Sequence, residues 1–234
     1  MPPRLTGLAS AAAALRYLER RQEVTAHNLA NATTDGFRGE RAFAELLPDG
    51  AAAVRTAVDA RAGTLRETHN PLDLALTGPG FFVVETPAGE RLTRAGGFRL
   101  DPERRVVDAG GNALLGEAGP VVLPPNVRDV TVGADGSVRA DGREVARLRL
   151  EQVAPGAQMA HEDGVRFVPD PSRRPVAPGD RRVRQGFVEE SNVAPVSALV
   201  DMIAVQRAYA GVQKAVTTLD AVRGTAASEL GKPV

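Results

Sequence analysis

The sequence predicts an α+β fold, with a long helix at each end of the chain and a central antiparallel β-rich domain. The first 30 residues are dominated by Ala, Leu, Arg, Glu and Gln, which favour helix formation. Near the other end, apolar residues recur at steps of three and four, the spacing of one helix face. Between these regions, short alternating segments are separated by Gly-containing turns, which is typical of antiparallel strands.

The N-terminal helix is predicted from about residue 5 to residue 31, because no Pro and no Gly interrupts the segment after Gly7. A stripe with a seven-residue repeat runs along it, formed by Leu8, Leu15, Gln22 and Leu29. Because Gln22 is polar, the stripe indicates a weak coiled-coil-like seam.

The C-terminal helix has a cleaner heptad pattern. Its seam is formed by Met202, Val205, Tyr209, Val212, Val216 and Leu219. We expect Ser191 or Asn192 to cap the start, Pro195 to lie in the first turn, and the helix to end near Gly224. Neither helix can bury its stripe alone, so we expect the two helices to pair in a coiled-coil-like manner and leave some apolar surface for other chains.

The centre of the chain is predicted to consist of short strands. Asp135-Gly136 and Asp141-Gly142 favour tight hairpins. Residues 46–66 are rich in Ala and contain two Gly, and we expect an irregular connector there. The predicted domains are an N-terminal helical segment at 1–45, the connector at 46–66, a β-rich domain at 67–190 and a C-terminal helix at 191–234.

The composition argues against several classes of function. Lys plus Arg and Asp plus Glu both number 29, so the net charge is zero and no global field favours nucleic acid or an anionic membrane. There is no Cys, which excludes disulfides and thiolate chemistry. No segment approaches the roughly 18 apolar residues of a membrane span. Arg16 and Glu19 follow the Ala-rich start closely, so we expect no cleaved signal peptide and no direct membrane insertion.

The sequence predicts no catalytic, cofactor or metal site. His27, His69 and His161 are dispersed without the spacing of metal ligands, and no Ser lies in a G-x-S-x-G turn. Glu189 and Glu190 are neighbours on a predicted strand and therefore point to opposite faces. We interpret this pair as a solvated edge rather than as paired catalytic carboxylates.

Residues around the end of the N-terminal helix point to assembly instead. Asn28 and Asn31 carry amide groups that can specify register between packed helices, although simple helix termination explains this segment equally well. Phe37 and Phe43 are predicted either to anchor this segment on a neighbouring chain or on the β domain, or to belong to the molecule's own core.

Several sequence blocks, in order, resemble those of bacterial flagellar basal-body rod and hook proteins. The N-terminal block is H-N-L-A-N-A-T-T-D-G-F-R at 27–38, and the first central block is N-P-L-D-L-A-L-T-G-P-G-F-F-V-V at 70–84. Near the other end stand Q-G-F-V-E-E-S-N-V at 185–193 and D-M-I-A-V-Q-R-A-Y at 201–209. The resemblance spans nearly the whole chain.

The resemblance implies a structural subunit of the periplasmic rod, the shaft that transmits torque to the hook. G-E-A-G-P-V-V-L-P at 116–124 and the short stretch at 48–66 are more similar to the proximal-rod members, with the distal-rod members as the alternative. The resemblance also implies that the chain self-associates and that its partners are other rod and hook-basal-body subunits. It further implies type III export without a cleaved signal. Phe43 and Leu47 fit a Phe-x-x-x-hydrophobic pattern similar to the family's export-gate motif.

The resemblance and the helix pattern together predict an assembly interface. Its members are Leu8, Leu15, Asn28, Leu29, Asn31, Phe37, Val196, Leu199, Ile203, Tyr209, Val212, Val216 and Leu219. Two other hypotheses compete with this one. The first is a wall-processing enzyme within the rod, but this sequence lacks the convergent carboxylates that such an enzyme needs. The second is a secreted binding module formed by the β domain, in which the helices serve only for dimerisation.

Overall fold

The computed structural model describes residues 7–46, 52–154 and 159–230. It has a helix near each end of the chain and an antiparallel β-rich region between them, so the predicted α+β class is confirmed. The described residues form two compact units. We call one the helical unit, from residues 1–30, 40–57 and 194–234, and the other the β unit, from residues 31–39 and 58–193.

The described part of the helical unit contains two helices and a pair of strands. Helix α1 spans Gly7–Ala30, and helix α2 spans Pro195–Leu230. Strands β1 (Glu40–Leu46) and β2 (Ala52–Val58) pair with each other, and α1 packs against both β1 and α2. The helical unit buries the side chains of Leu18 and Val24 in α1 and of Val205 in α2.

Helix α2 is longer than predicted. It continues past Gly224 to Leu230 and has 36 residues, because a single Gly costs only about 1 kcal/mol relative to Ala and the following residues are good helix formers. Pro195 is its first residue, as predicted. The predicted caps are wrong, since Ser191 Oγ accepts a hydrogen bond from Val193 N and the Asn192 side chain is bonded elsewhere in the β unit.

The segment that we expected to be an irregular connector contains regular structure. Strand β2 lies within residues 46–66, and strand β3 (Leu65–Glu67) closes this segment. The alternation V-R-T-A-V at 54–58 is a strand pattern, but a weak one because of its small Ala side chains. The division of the chain at residues 45, 66 and 190 stays a prediction.

The β unit is built from short strands that pair antiparallel throughout its described residues. Beyond β3, the strands are β4 (Leu74–Leu76), β5 (Phe81–Thr86), β6 (Gly89–Thr93), β7 (Arg99–Leu100), β8 (Val106–Val107), β9 (Ala113–Gly116), β10 (Gly119–Pro120), β11 (Val130–Val132), β12 (Ser137–Ala140), β13 (Arg143–Arg147), β14 (Leu150–Gln152), β15 (His161–Asp163), β16 (Arg166–Phe167), β17 (Arg174–Pro175), β18 (Val183–Gln185) and β19 (Phe187–Glu189). A short 3-10 turn spans Pro178–Asp180.

One large sheet organises the β unit. Its strand order is β15-β16-β6-β5-β9-β8-β7, while β10 joins at β9 and β14 joins β5 to β17. Strands β11, β12 and β13 form a separate meander whose turns are the predicted Asp135-Gly136 and Asp141-Gly142 hairpins. Strands β18 and β19, late in the chain, pair with β4 and β3. These long-range pairings bring the end of the β unit back to its beginning.

Two apolar clusters form the core of the β unit. The larger one includes Phe82 and Phe98, whose rings meet edge to face with centroids 5.4 Å apart. The smaller one includes Leu92 and Phe167. Because buried aromatic rings contribute large apolar areas, these clusters supply most of the hydrophobic stabilisation of a unit that has short strands and many turns.

Two segments that are distant in sequence are fastened together inside the β unit, and we call the contact between residues 36–39 and 189–192 the joint. Gly36 N donates to Glu189 O (2.6 Å), and Gly39 N donates to Asn192 Oδ1 (2.8 Å). Asn192 Nδ2 donates in turn to Asp59 O (3.0 Å). Backbone groups that would otherwise lie unpaired are therefore satisfied across the joint.

Glu189 is the charged centre of the joint and is only 1% exposed. Its Oε1 lies 2.7 Å from Nη2 of Arg38 and accepts a hydrogen bond from Gly63 N (3.0 Å). Its Oε2 lies 3.2 Å from Nη1 of Arg94. The interpretation of the Glu189-Glu190 pair as a solvated edge is therefore wrong for Glu189. It holds for Glu190, which is exposed and pairs with a surface arginine.

The turn that leads into the joint requires glycine at position 36. Gly36 has φ +74°, and a Cβ built there would lie 2.1 Å from Ala95 N. No real Cβ approaches a backbone atom so closely, so any side chain would force Ala95 or the turn to move.

We predict that Gly36→Ala lowers the free energy of unfolding by about 3 kcal/mol or more, through both the strained φ and the clash. Gly142→Ala is the matched control, because Gly142 has φ +79° but no atom within 4 Å of the new Cβ. The control should cost about 1 kcal/mol, from the strained φ alone. Urea denaturation measures both values, and equal losses would contradict the steric account.

We also predict that Glu189→Gln lowers the free energy of unfolding by about 3 kcal/mol or more, because it leaves two buried guanidinium groups without a carboxylate. Glu190→Gln should change it by less than about 1 kcal/mol, since that side chain is exposed. Chemical denaturation at neutral pH compares the two variants. A loss for Glu189→Gln no larger than that for Glu190→Gln would show that the joint does not depend on the buried charge.

Candidate functional site

The first two turns of α2 carry a row of exposed apolar side chains. Val196, Leu199, Val200 and Ile203 follow the spacing i, i+3, i+4 and i+7, which places them on one side of the helix. Their exposure ranges from 76% for Val196 to 43% for Ile203. Soluble monomers rarely leave contiguous apolar patches of this kind in water. This row, which we call the α2 apolar face, is therefore the candidate contact surface.

The opposite side of α2 carries the predicted heptad seam. Val205 is buried, and the half-buried members of the seam are Met202, Tyr209, Val212 and Val216. The Tyr209 hydroxyl donates to Glu19 of α1 (3.0 Å), and this hydrogen bond raises the pKa of Tyr209. At 3.6 residues per turn, the seam lies roughly 150° around α2 from the α2 apolar face. Helix α2 thus has two apolar sides, one packed within the helical unit and one exposed.

Leu219 belongs to the predicted seam but is exposed, as is Val222 near it. Helices α1 and α2 have 24 and 36 residues, a difference of 12 residues. At 1.5 Å per residue, α2 is about 18 Å longer than α1, so part of its seam has no counterpart among the described residues of α1. The surface available for contact with other chains therefore includes this distal part of α2.

The predicted interface residues of α1 have mixed roles. Leu15 and Leu29 are half-buried, and Leu8 lies in the first turn of the helix. Asn28 is used within the helical unit, because its Nδ2 donates to Glu40 O (2.8 Å) and its Oδ1 accepts from Glu40 N (2.9 Å). This paired contact fixes the start of β1 beside α1, so one side-chain amide satisfies both backbone groups of Glu40.

Asn31 and Phe37 lie in the β unit. Asn31 O accepts from Thr34 N (3.1 Å), as expected for a turn that follows a helix end. Phe37 is fully buried and its ring stacks on His161 at a centroid distance of 5.7 Å. Of the two alternatives for Phe37, the structure has the intramolecular one, so this side chain presents no surface to another chain.

The two residues of the predicted export motif are placed differently. Phe43 lies in β1 with an exposed side chain, whereas Leu47 lies outside the described residues. Exposure of Phe43 leaves it available for an external contact in the folded chain.

Sequence analysis missed one member of the α2 apolar face and the buried ion cluster. Val200 follows Val196 by four residues, so the helix spacing could have identified it. Arg38, Arg94 and Glu189 are separated by 56 and 95 residues in sequence and carry no local signal of their meeting.

In the part of the chain that the structure describes, no three His, Asp or Glu side chains gather in a group that could hold a metal ion. Neither described helix combines the length and apolar character that crossing a bilayer requires.

Three family models match the chain in order. Residues 8–38 match the flagella basal body rod protein model, and residues 75–140 match the D1 domain of the flagellar hook protein FlgE/F/G. Residues 184–229 match the C-terminal model of the flagellar basal body rod FlgEFG proteins. These matches cover nearly all of α1 and α2 and about half of the β unit.

Whole-chain comparisons agree with these matches. The chain is 36% identical to the flagellar basal-body rod protein FlgF of Mesorhizobium japonicum, over 82% of this chain and 84% of the relative. It is 32% identical to FlgF of Caulobacter vibrioides, over 92% and 94%. FlgG of Agrobacterium fabrum is 30% identical, over 92% and 96%. These identities extend over the helices as well as the β unit, and the chain belongs to the family of flagellar basal-body rod proteins.

Proposed function

We propose that this protein is a structural, non-enzymatic subunit of the flagellar basal-body rod, similar to FlgF and located in the proximal rod. The observation that carries the proposal is the α2 apolar face, which is exposed on the side of α2 opposite the partly buried seam. A helix with two apolar sides can pack within its own subunit and against a neighbour at once. The FlgF relatives support the assignment to the rod.

The size of the α2 apolar face suggests how assembly is controlled. Complete burial of one Val, Leu or Ile side chain contributes about 1.5–3 kcal/mol. Because the four side chains of the α2 apolar face are already partly covered, burying the whole face against one neighbour gains about 4 kcal/mol. Association itself costs about 4 kcal/mol or more. The free energy gained by one contact therefore roughly equals the cost of association. Stable association requires several contacts at once, as a growing tube provides.

A tube follows naturally when the α2 apolar face contacts a different surface of the next subunit. Such head-to-tail contacts generate open helical assemblies rather than closed dimers. Each added subunit then offers a fresh α2 apolar face, and torque passes along the tube through many packed contacts. The partners are further rod and hook-basal-body subunits together with copies of this chain.

We further propose that α1 and α2 pair in a coiled-coil-like manner along the predicted seam, and that this pairing becomes stable only in the assembled rod. Contacts between the two helices and the Tyr209–Glu19 hydrogen bond support the pairing. Ordering two long helices costs conformational entropy, which apolar contacts with neighbours offset. Premature polymerisation is thereby disfavoured until a template is present.

The proposed location is the basal-body rod in the periplasm, reached by type III export without a cleaved signal peptide. Export recognition would use Phe43 together with Leu47, and the export gate would be the partner. The exposed Phe43 side chain supports this part of the proposal. A FlgG-like distal-rod subunit is the second candidate, favoured by the FlgG relative that covers nearly the whole chain.

We predict that Leu199→Asp or Ile203→Asp abolishes rod assembly, because a carboxylate that is buried without a partner costs several kcal/mol, equivalent to a loss of association of about 100-fold or more. Ala204→Asp is the matched control, since it adds the same charge at an exposed position of α2 about 90° around the helix from the α2 apolar face. Soft-agar motility and electron microscopy of basal bodies measure assembly. Urea unfolding of each purified variant verifies that the β unit remains folded. Normal rods in both apolar-face variants would exclude this surface from assembly.

Amide hydrogen exchange on the purified monomer tests the coupled ordering. We predict fast exchange in α1 and α2 and strong protection in the large sheet of the β unit, because the helices gain their full set of apolar partners only in the rod. Comparable protection in helices and sheet would mean that the helices pair before assembly. The ordering mechanism would then be wrong, while the contact surface would still stand.

A further inference from the structure

The chain crosses between the helical unit and the β unit four times, and three of these crossings lie beside the joint. Gly39, Asp59 and Asn192 are each within two residues of a crossing. We call the parts of the β unit that contain them the first, second and third connecting segments, residues 36–39, 58–64 and 189–193. Asp59 N donates to Gly39 O (2.7 Å), so the first two segments are bonded where the chain leaves and re-enters the β unit.

Asn192 joins the third connecting segment to the other two through one side chain. Its Oδ1 accepts from Gly39 N (2.8 Å), and its Nδ2 donates to Asp59 O (3.0 Å) and to Arg61 O (2.9 Å). The backbone N of Asn192 also donates to Phe37 O (3.3 Å). Because all of these partners are backbone groups, Asn192 fixes the main chains of the three segments to one another.

Arg38 makes the reciprocal connection from the first segment. Its guanidinium donates to the carbonyls of Ala60 and Arg61 in the second segment, and its Nη2 lies 2.7 Å from Oε1 of Glu189 in the third. Gly36 N also donates to Glu189 O (2.6 Å). The three segments are therefore bonded pairwise, and none of them can leave the joint without breaking bonds to both of the others.

Burial makes the opening of the joint cooperative. The side chains of Arg38 and Glu189 are almost fully buried, and Asn192 is half-buried. A buried polar group that loses its partner also loses the free energy of solvation until water reaches it, which costs more than the exchange of one hydrogen bond for another in water. Breaking one of these contacts therefore leaves costly unpaired groups unless the whole joint opens.

We propose that the joint is a mechanical clamp, which carries tension from one connecting segment to the others and keeps it from the sheets of the β unit. Tension on the first or third segment meets the bonds of Gly39 and Asn192 close to the crossings, before it reaches the paired strands β3 and β18. In the proposed rod, the clamp keeps the β unit folded while neighbouring subunits pull on the helices. The clamp itself is a property of the single chain and does not depend on the rod assignment.

Single-molecule force-clamp measurements on the full-length protein test this proposal. The chain has no Cys, so Ser10→Cys and Ala215→Cys, at exposed positions of α1 and α2, provide two unique attachment points. Tension then enters the β unit from both ends of its sequence. We expect the β unit to yield in one step that releases roughly 550 Å, the extended length of residues 31–193.

Asn192→Ala removes three side-chain hydrogen bonds of the clamp and should raise the rupture rate of the β unit at fixed force about tenfold or more. Asn70→Ala is the matched control. The Asn70 side chain bonds to Asp73 Oδ1 (2.8 Å) and Leu72 N (3.2 Å) in a turn of the β unit, but it makes no bond to the joint. We expect this control to rupture at the parent's rate, and urea unfolding verifies that both variants are folded.

A second pair of attachment points keeps the test independent of the Asn192 variant. Ala88→Cys and Ala109→Cys lie in exposed turns of the β unit, where tension loads the large sheet without first crossing the joint. At the same force, the β unit should rupture faster from these points than from the helices. If Asn192→Ala ruptures no faster than Asn70→Ala, or if the two pairs of attachment points give equal rupture rates, the joint is not a mechanical clamp.

Discussion

The buried carboxylate of Glu189 is the interaction on which the β unit depends. It holds Arg38 from the beginning of the unit, Arg94 after β6 and the backbone of Gly63 around one side chain. Charges removed from water must be paired, so these three segments can occupy only one arrangement. The backbone bonds of the joint lie beside these ion pairs, since Gly36, which donates to Glu189 O, is two residues from Arg38. Two of the blocks that carry the family resemblance, at 27–38 and 185–193, thus meet in the joint of the β unit.

Assembly places a different demand on the helical unit. In the proposed rod, the seam of α2 packs against α1 while the α2 apolar face contacts a neighbour. A gain of about 4 kcal/mol per contact suits a polymer, because it is too small for stable pairs and adequate when each subunit makes several contacts. The stability of the β unit and the proposed association through α2 therefore rest on separate residues and separate forces. Changes in one need not alter the other.

The sequence was informative where the physics is local. Helix formers and heptad spacing predicted both helices, and the Asp-Gly steps predicted the hairpins at 135–136 and 141–142, because a turn depends on its own residues. Predictions failed where distant partners decide the outcome. Asn192 has the chemistry of a helix cap, but it bonds to Gly39 and Asp59 instead. No short sequence pattern could show that Glu189 meets Arg38 and Arg94. The position of Glu189 on a short strand therefore suggested a solvated carboxylate.

The same ion cluster also explains why an enzymatic interpretation gains nothing from Glu189, the most deeply buried acid among the described residues. Both oxygens of Glu189 are engaged by guanidinium groups, and Oε1 also accepts from Gly63 N, so no oxygen is left to exchange a proton with a substrate. A general acid or base needs a free lone pair directed at the reacting group. Here the acid is a structural counter-ion of Arg38 and Arg94. Such an acid suits a protein whose work is done by contact rather than by catalysis.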